Sequence, residues 1–125
     1  MPSISGAAQE AYGESTFTCP GIEIASSLAT HLSPLKTWNY RYNVWDAQNE
    51  AAGLGVPHVA EKPAIFGPGN SGACNNCSSP EWKPWGDSGG QRLRFQLNAT
   101  SMESVPGSQS DRCIIWKGLA QIMEQ

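Results

Sequence analysis

The chain has 125 residues, with 8 Lys or Arg against 11 Asp or Glu and a formal net charge of −3. So small a charge excess argues against a nucleic acid, a membrane surface or a strongly cationic protein as the partner. No run approaches the roughly 18 apolar residues of a membrane span, so none is predicted. The 13 glycines and 9 prolines predict many loops and a modest core.

Hydrophobic periodicity predicts two helices and two well-separated strands. Apolar residues recur at helical spacing over 19–32 and alternate with polar ones over 38–45 and again over 92–97. A second helix is expected to begin near Ser110 or Asp111, since either side chain can cap the first turn. Two strands and two helices are few for an autonomous fold, because a lone pair of strands is marginal without further layers.

Cysteines and glycosylation sequons favour an oxidising, secretory compartment. The chain has four cysteines, and its sequons are Asn76-Cys77-Ser78 and Asn98-Ala99-Thr100. Asn98 is the better acceptor of the two, because Cys77 occupies the middle position of the other sequon. The first residues have neither the basic region nor the apolar stretch of a signal peptide. We therefore expect a secreted protein whose secretory start lies outside this sequence.

The sharpest local pattern is Gly55-Val56-Pro57-His58-Val59-Ala60-Glu61. A histidine on a loop that leaves a strand can take the proton of a serine hydroxyl and return it to the leaving group. A carboxylate would fix the tautomer of such an imidazole. Judged on this spacing alone, however, His58 is more simply an ordinary loop histidine.

Five short motifs follow one another along most of the chain. They are Phe17-Thr18-Cys19-Pro20, Trp38-Asn39-Tyr40-Arg41-Tyr42, Gly55-x-x-His58-x-x-Glu61, Ile65-Phe66-Gly67 and Arg112-Cys113-x-x-Trp116. Taken together and in this order, they resemble the C-terminal region of type B carboxylesterases and lipases. This family is the cholinesterase-like, fungal-type branch of the α/β-hydrolases, and several motifs in register are far more specific than any one alone.

The resemblance implies an α/β fold in which residues 1–125 form a C-terminal fragment of a carboxylesterase domain. The fragment would hold a few strands with flanking helices and an incomplete sheet. The catalytic histidine of the family falls on His58, which would act as general base and then general acid while an ester is hydrolysed through an acyl-serine intermediate. Glu61 is similar to a structural, hydrogen-bonding glutamate of the family. Neither a metal nor an organic cofactor is implied.

The nucleophilic serine and the acid of the family both precede the histidine in chain order. Only 57 residues precede His58, and they hold neither a nucleophile elbow nor a plausible strand end for the acid. We therefore expect no ester hydrolysis by the chain alone. Its expected parts are a strand and histidine-loop region over 12–70, an irregular loop over 71–91, and the last strand with the C-terminal helix over 92–125. The family carries a few tens of residues where this chain has only Ser71 to Ser78. An internal deletion, a mis-spliced gene model and a degenerate remnant would each explain this difference. The strand over 38–45 would then lack neighbours, which predicts self-association.

The resemblance also implies a disulfide between Cys19 and Cys113, tying the first predicted helix to the last. Cys74 and Cys77 form a lone C-x-x-C. A zinc site would need two further ligands, and neither histidine stands in a suitable context. A local disulfide and two free thiols both remain open for this pair.

The chain contains one candidate serine motif, Gly86-Asp87-Ser88-Gly89-Gly90. It satisfies G-x-S-x-G and also matches the nucleophile motif of trypsin-like proteases. A nucleophile elbow needs a strand before it and a helix after it, and neither is predicted here. Too few residues precede it to build the two β-barrels of a trypsin-like protease. Ser88 is therefore not predicted to be catalytic.

Five tryptophans and three tyrosines invite a carbohydrate-binding interpretation. Core packing explains the aromatic residues that recur at strand or helix spacing, which are Trp38, Tyr40, Tyr42 and Trp116. That leaves Trp82 and Trp85, in a Pro-rich loop, as candidates for surface binding.

The leading hypothesis is thus a secreted carboxylic ester hydrolase of which this chain is an inactive part, with a small-molecule ester as the substrate of the whole enzyme. A second hypothesis is a non-catalytic remnant or interaction module stabilised by the Cys19–Cys113 disulfide. A third is a small secreted, aromatic-rich binding domain that merely echoes the family.

Overall fold

A computed structural model of the chain describes residues 4–58, 60–61, 85–96 and 99–123. Several sequence predictions fall on other residues and therefore lie outside the described part. They concern the Ile65-Phe66-Gly67 motif, the stretch Ser71 to Ser78, the cysteines Cys74 and Cys77, the sequon residues Asn76 and Asn98, and Trp82.

The N-terminal part is one long helical segment rather than a helix that begins at Cys19. Helix α1 (Ile4–Gly13) leads into a π-helical turn (Glu14–Thr18) and then into α2 (Cys19–His31). The backbone N–H of Cys19 donates to the carbonyl of Glu14, five residues earlier. Pro20 has no N–H, and its ring would clash with a carbonyl four residues earlier in an α-helix. The wider π-helical turn lets the helix continue through this position, where the sequence pattern alone predicts a start.

Three strands form a mixed sheet in the order β1-β2-β3. They are β1 (Tyr40–Tyr42), β2 (Gln91–Gln96) and β3 (Ala99–Ser104). β1 runs parallel to β2, and β3 runs antiparallel to β2. The strand predicted over 38–45 is thus only three residues long. The strand predicted over 92–97 lies one residue earlier, and its Leu93 is fully buried.

Strand β3 is not predicted by the hydrophobic pattern. Its sequence, Ala-Thr-Ser-Met-Glu-Ser, has little apolar alternation. All six of its residues pair with β2, from Ala99 opposite Gln96 to Ser104 opposite Gln91. The partner strand therefore decides its structure, as the strong dependence of strand formation on context allows.

The last helix, α4 (Gly107–Met123), begins earlier than predicted. The expected start near Ser110 or Asp111 is wrong by about one turn. The carbonyl of Pro106 accepts hydrogen bonds of 3.0 Å from the N–H groups of Gln109 and Ser110. This backbone turn starts the helix without the expected side-chain cap.

The small core lies between α2 and the turn that precedes β2. Ala25, Ala29 and Trp85 are buried together there, with Ile22 and Val105 packed against them. The proposal that Trp85 is available for surface binding is therefore wrong. The N–H of Trp85 donates to the carbonyl of Thr37 at 2.6 Å, so its backbone is fixed as well.

The aromatic residues around β1 are not packed in a core. Trp38 and Tyr40 are exposed, and so is Trp45. Core packing therefore does not explain Trp38 and Tyr40 in this chain, although Trp116 is partly buried on α4. Among the described strands β1 pairs with β2 alone, and exposed aromatic rings beside such a strand form an apolar surface patch.

An ion pair between a buried carboxylate and a partly exposed guanidinium joins the π-helical turn to α4. The Glu14 carboxylate is only 4% exposed and accepts hydrogen bonds of 2.7 Å from both Nε and Nη2 of Arg112. The amide of Gln109 donates to the same carboxylate at 3.2 Å and accepts from Arg92 of β2 at 3.1 Å. The hydrogen bonds from Arg112 hold the pKa of Glu14 below its usual value, against the opposing effect of burial. One polar network thus links the π-helical turn, helix α4 and strand β2.

A disulfide lies beside this network and joins Cys19, the first residue of α2, to Cys113 of α4. The two cysteines are 94 positions apart in the sequence. Closing so long a loop stabilises a fold by about 4–5 kcal/mol in the chain-entropy account. Among the described residues no cysteine is left with a free thiol.

Candidate functional site

His58 lies on the loop that follows β1. A short helix, α3 (Ala47–Ala51), begins this loop, and the carboxylate of Asp46 caps it by accepting from the N–H groups of Gln48 and Asn49. Gly55 then adopts a positive φ of 63° beside the ring of Trp45. Glycine reaches this left-handed conformation without strain, which lets the chain turn sharply just before the histidine.

The His58 side chain is exposed, and one face of its ring is covered. The imidazole stacks on the ring of Phe17, with centroids 3.8 Å apart and planes 14° from parallel. Phe17 also makes a T-shaped contact with the Tyr12 ring, with centroids 6.1 Å apart. The contact fixes the plane of the imidazole, while both nitrogens lie at the ring edge and can form hydrogen bonds in that plane.

No hydrogen bond or ion pair joins the His58 imidazole to any other side chain that the structure describes. The described residues therefore contain neither a serine hydroxyl nor a carboxylate paired with it. A catalytic histidine needs one partner at each nitrogen. Within the described part of the chain, the candidate site is therefore His58 without a serine or a carboxylate partner.

Glu61, which follows His58 in the sequence motif, interacts with strand β1. Although Tyr40 is 39% exposed, its partial burial raises its pKa, and the negative charge of Glu61 and a hydrogen bond to its carboxylate raise it further. Burial and the charge of Glu61 also raise the pKa of Tyr42. The hydrogen bond between Glu61 and Tyr40 ties the end of the histidine loop to β1.

Ser88 is held within its own tight turn. Its Oγ accepts from the N–H of Gln91 at 3.2 Å and lies 3.3 Å from the carbonyl of Trp85. Gly89 and Gly90 both have positive φ values, 69° and 82°, and strand β2 follows at once. A nucleophile elbow is followed by a helix instead. The geometry therefore assigns Ser88 to turn formation.

The described residues offer no metal site, since no group of three or more His, Cys, Asp or Glu side chains lies close enough to hold an ion. None of the described helices is long and apolar enough to cross a membrane. An open groove of about 590 Å³ lies at the end of α2, but His58 does not line it. The loop around His58 thus remains the candidate site.

Two residues of this site were not anticipated in these roles. The Phe17-Thr18-Cys19-Pro20 motif contributes to the resemblance, but nothing in the sequence indicates that Phe17 would face a histidine. Tyr12 gives no sequence signal at all. Both lie in the helical segment that the pattern predicted only from residue 19 onwards.

Comparison with known proteins places this geometry in context. No protein-family model matches the chain, and no curated protein matches it either. Among solved structures, the chain is similar to EstA of Aspergillus niger, an esterase, with 40% sequence identity and a TM-score of 0.79. The match covers 97% of this chain and 29% of EstA, so the chain spans less than a third of the length of EstA. Its helices and three-stranded mixed sheet therefore match part of an esterase α/β fold, and the identity supports a fungal esterase-like origin.

Proposed function

We propose that this chain supplies the catalytic histidine of a carboxylic ester hydrolase and that His58 is this residue. The observation that carries the proposal is the exposed, stacked imidazole of His58 on a loop after a parallel strand. In the family that the chain resembles, the catalytic histidine follows the serine and the acid in chain order, and a loop that leaves a strand can present its imidazole. His58 would accept the proton of a serine nucleophile and pass it to the alcohol leaving group.

The nucleophilic serine, the acid and the oxyanion hole would come from segments outside this sequence. The finer assignment is to the type B carboxylesterases and lipases, with a deletion between Asn70 and Ser79, and it rests on the five motifs in register. The substrate would be a small carboxylic ester, and no cofactor would take part. The Cys19–Cys113 disulfide favours a secreted protein, because disulfides persist in oxidising compartments. Asn98 and Asn76 would then carry glycans, with Asn98 as the better acceptor of the two.

The test is a chimaera in which this chain replaces the matching segment of EstA. We expect the purified chain alone to show no turnover of a p-nitrophenyl ester, whereas the chimaera turns it over. His58→Ala should lower kcat of the chimaera by at least about 10³-fold, because the serine loses its general base. Ser88→Ala is the matched control and should leave kcat unchanged.

Two results would contradict this proposal. A correctly folded parent chimaera that shows no turnover would reject His58 as the catalytic base, because His58→Ala would then have no activity to remove. Turnover by the chain alone that disappears with Ser88→Ala would show instead that the Gly86-Asp87-Ser88-Gly89-Gly90 turn holds a nucleophile.

A non-catalytic interaction module is the second candidate, and the exposed apolar surface favours it. Trp38 and Trp45 flank β1 and are 48% and 51% exposed. β1 pairs with β2 alone among the described strands. An edge strand flanked by exposed aromatic rings is prone to associate with another chain.

We expect the isolated chain to self-associate through this edge as its concentration rises. Sedimentation velocity should show a growing weight-average mass, and Trp38→Lys should suppress the growth by placing a charge at the edge. The matched control is Ile24→Lys, which charges an exposed apolar position on α2. A monomer at every concentration, or equal suppression by both variants, would argue against association through β1.

A further inference from the structure

The contact between His58 and Phe17 has a consequence for the proposed function. An exposed histidine on a loop samples several rotamers, and each rotamer turns its two nitrogens in a different direction. Catalysis needs one orientation, in which one nitrogen meets the serine and the other meets the acid. Stacking at 3.8 Å restricts the imidazole to a plane nearly parallel to the Phe17 ring. Its two nitrogens stay accessible at the edge of the imidazole.

The surface on which His58 stacks is itself firmly held. Phe17 lies in the π-helical turn, and both ends of this turn are fixed to α4. Glu14 at one end is bound by Arg112, and Cys19 directly after the other end forms the disulfide with Cys113. The Tyr12 ring packs edge-on against Phe17. Single π-helical turns inside α-helices are frequent at functional sites, where they redirect a side chain.

We propose that Phe17 is a positioning residue for His58 and that the anchored π-helical turn holds its ring as the stacking surface. Phe17 would touch neither the substrate nor the transferred proton, and it would act only by orienting the imidazole. This inference rests on the proposed role of His58 as the catalytic base. It adds a residue and a structural reason for the joint attachment of Glu14 and Cys19 to the last helix.

The contact is tested first in the 125-residue chain, where it does not depend on activity. With only two histidines in the sequence, His31 serves as the reference for His58 in the proton NMR spectrum. The ring protons of His58 should lie upfield of those of His31, because they sit over the face of the Phe17 ring. Phe17→Leu should abolish this upfield shift, Phe17→Tyr should retain it, and Ile24→Ala should not change it. The tryptophan indole signals in the same spectra report whether each variant is folded.

The positioning role is tested in the EstA chimaera. Phe17→Leu should lower kcat by about 10- to 100-fold with little change in KM, since misplacement of a catalytic group by about 1 Å has an effect of this size. Phe17→Tyr keeps the aromatic ring and should keep the kcat of the parent chimaera. Rates are expressed per active serine, counted with an irreversible serine-directed inhibitor, so that a loss of folded protein does not lower the result.

The outcomes separate this inference from the proposed function. An active parent chimaera whose kcat is unchanged by Phe17→Leu would overturn the role of Phe17 and leave His58 as the base. A folded but inactive parent chimaera would reject the proposed function, and the role of Phe17 with it. The stacking arrangement would be overturned, whatever the activity, if the chemical shifts of the His58 ring protons coincided with those of His31. It would also be overturned if Phe17→Leu left those shifts unchanged.

Discussion

Removing the Cys19–Cys113 disulfide should lower the free energy of unfolding by about 4–5 kcal/mol, because the bond closes a loop of 94 positions in the unfolded chain. Small domains have a total stability of only about 5–15 kcal/mol. The described core is small, and much of its packing is between α2 and one tryptophan. The double variant Cys19→Ser/Cys113→Ser should therefore be close to unfolded at 37 °C.

Urea unfolding followed by tryptophan fluorescence measures this difference. Ser110→Ala, at an exposed serine on the same helix, is the control and should change stability by less than about 0.5 kcal/mol. A double variant that loses less than about 1 kcal/mol would show that the disulfide adds little beyond the Glu14–Arg112 pair beside it.

The pairing itself can be read by peptide mapping without reduction. Trypsin should release Cys19 on a peptide ending at Lys36 and Cys113 on the peptide from Cys113 to Lys117. Cys74 and Cys77 stay on a third peptide that ends at Arg92, because the two lysines between Tyr42 and Arg92 both precede proline. We expect the first two peptides to be joined. Their recovery as separate peptides from secreted protein would contradict the topology.

Replacing Glu14 by glutamine should destabilise the fold by about 1–3 kcal/mol near neutral pH, because the buried side chain at position 14 would lose its charged, bidentate contact with Arg112. The pKa of Glu14 is lowered in the fold by Arg112, so its carboxylate stabilises the folded state wherever it is ionised. This contribution is complete above the usual pKa of 4.5 and is lost as the pH falls through the lower, folded-state value. The stabilities of Glu14→Gln and the parent chain should therefore converge at acidic pH.

Urea unfolding at neutral pH and at about pH 3 measures this convergence. Glu10→Gln is a matched control, because Glu10 pairs with the same Arg112 at 3.2 Å but is 61% exposed. Exposed ion pairs contribute about 0–1 kcal/mol, so this control should have a much smaller effect. Equal losses in the two variants, or a gap that widens as the pH falls, would contradict a buried, ionised Glu14.

Hydrophobic periodicity located the elements whose own side chains define them. The end of α2 and the whole of β2 fall within about one residue of the predicted bounds. Helix α4 was found, but its first turn depends on the Pro106 carbonyl rather than on a side-chain cap. β3 was missed because its pairing partner, not its sequence, makes it a strand. α1 and the π-helical turn were missed because Pro20 looks like a helix start.

The candidate site divides in the same way. His58 could be singled out only from several motifs in register, since its local spacing is that of an ordinary loop histidine. Ser88 could be set aside from the sequence because a helix does not follow it, and its turn hydrogen bonds give the physical reason. Trp85 was misplaced on the surface because its Pro-rich surroundings look like a loop, whereas contacts with α2 bury its ring.

By itself, the sequence determined an α/β fold that resembles part of an esterase. It also identified one histidine as the residue to test. Such features follow from short-range patterns and from motif order, both of which are written along the chain. Only the tertiary structure decided that Phe17 lies on the face of His58, that Glu14 is buried against Arg112, and that β3 pairs with β2. Each of these depends on residues brought together from distant parts of the chain, where no local pattern reports which side chains will meet.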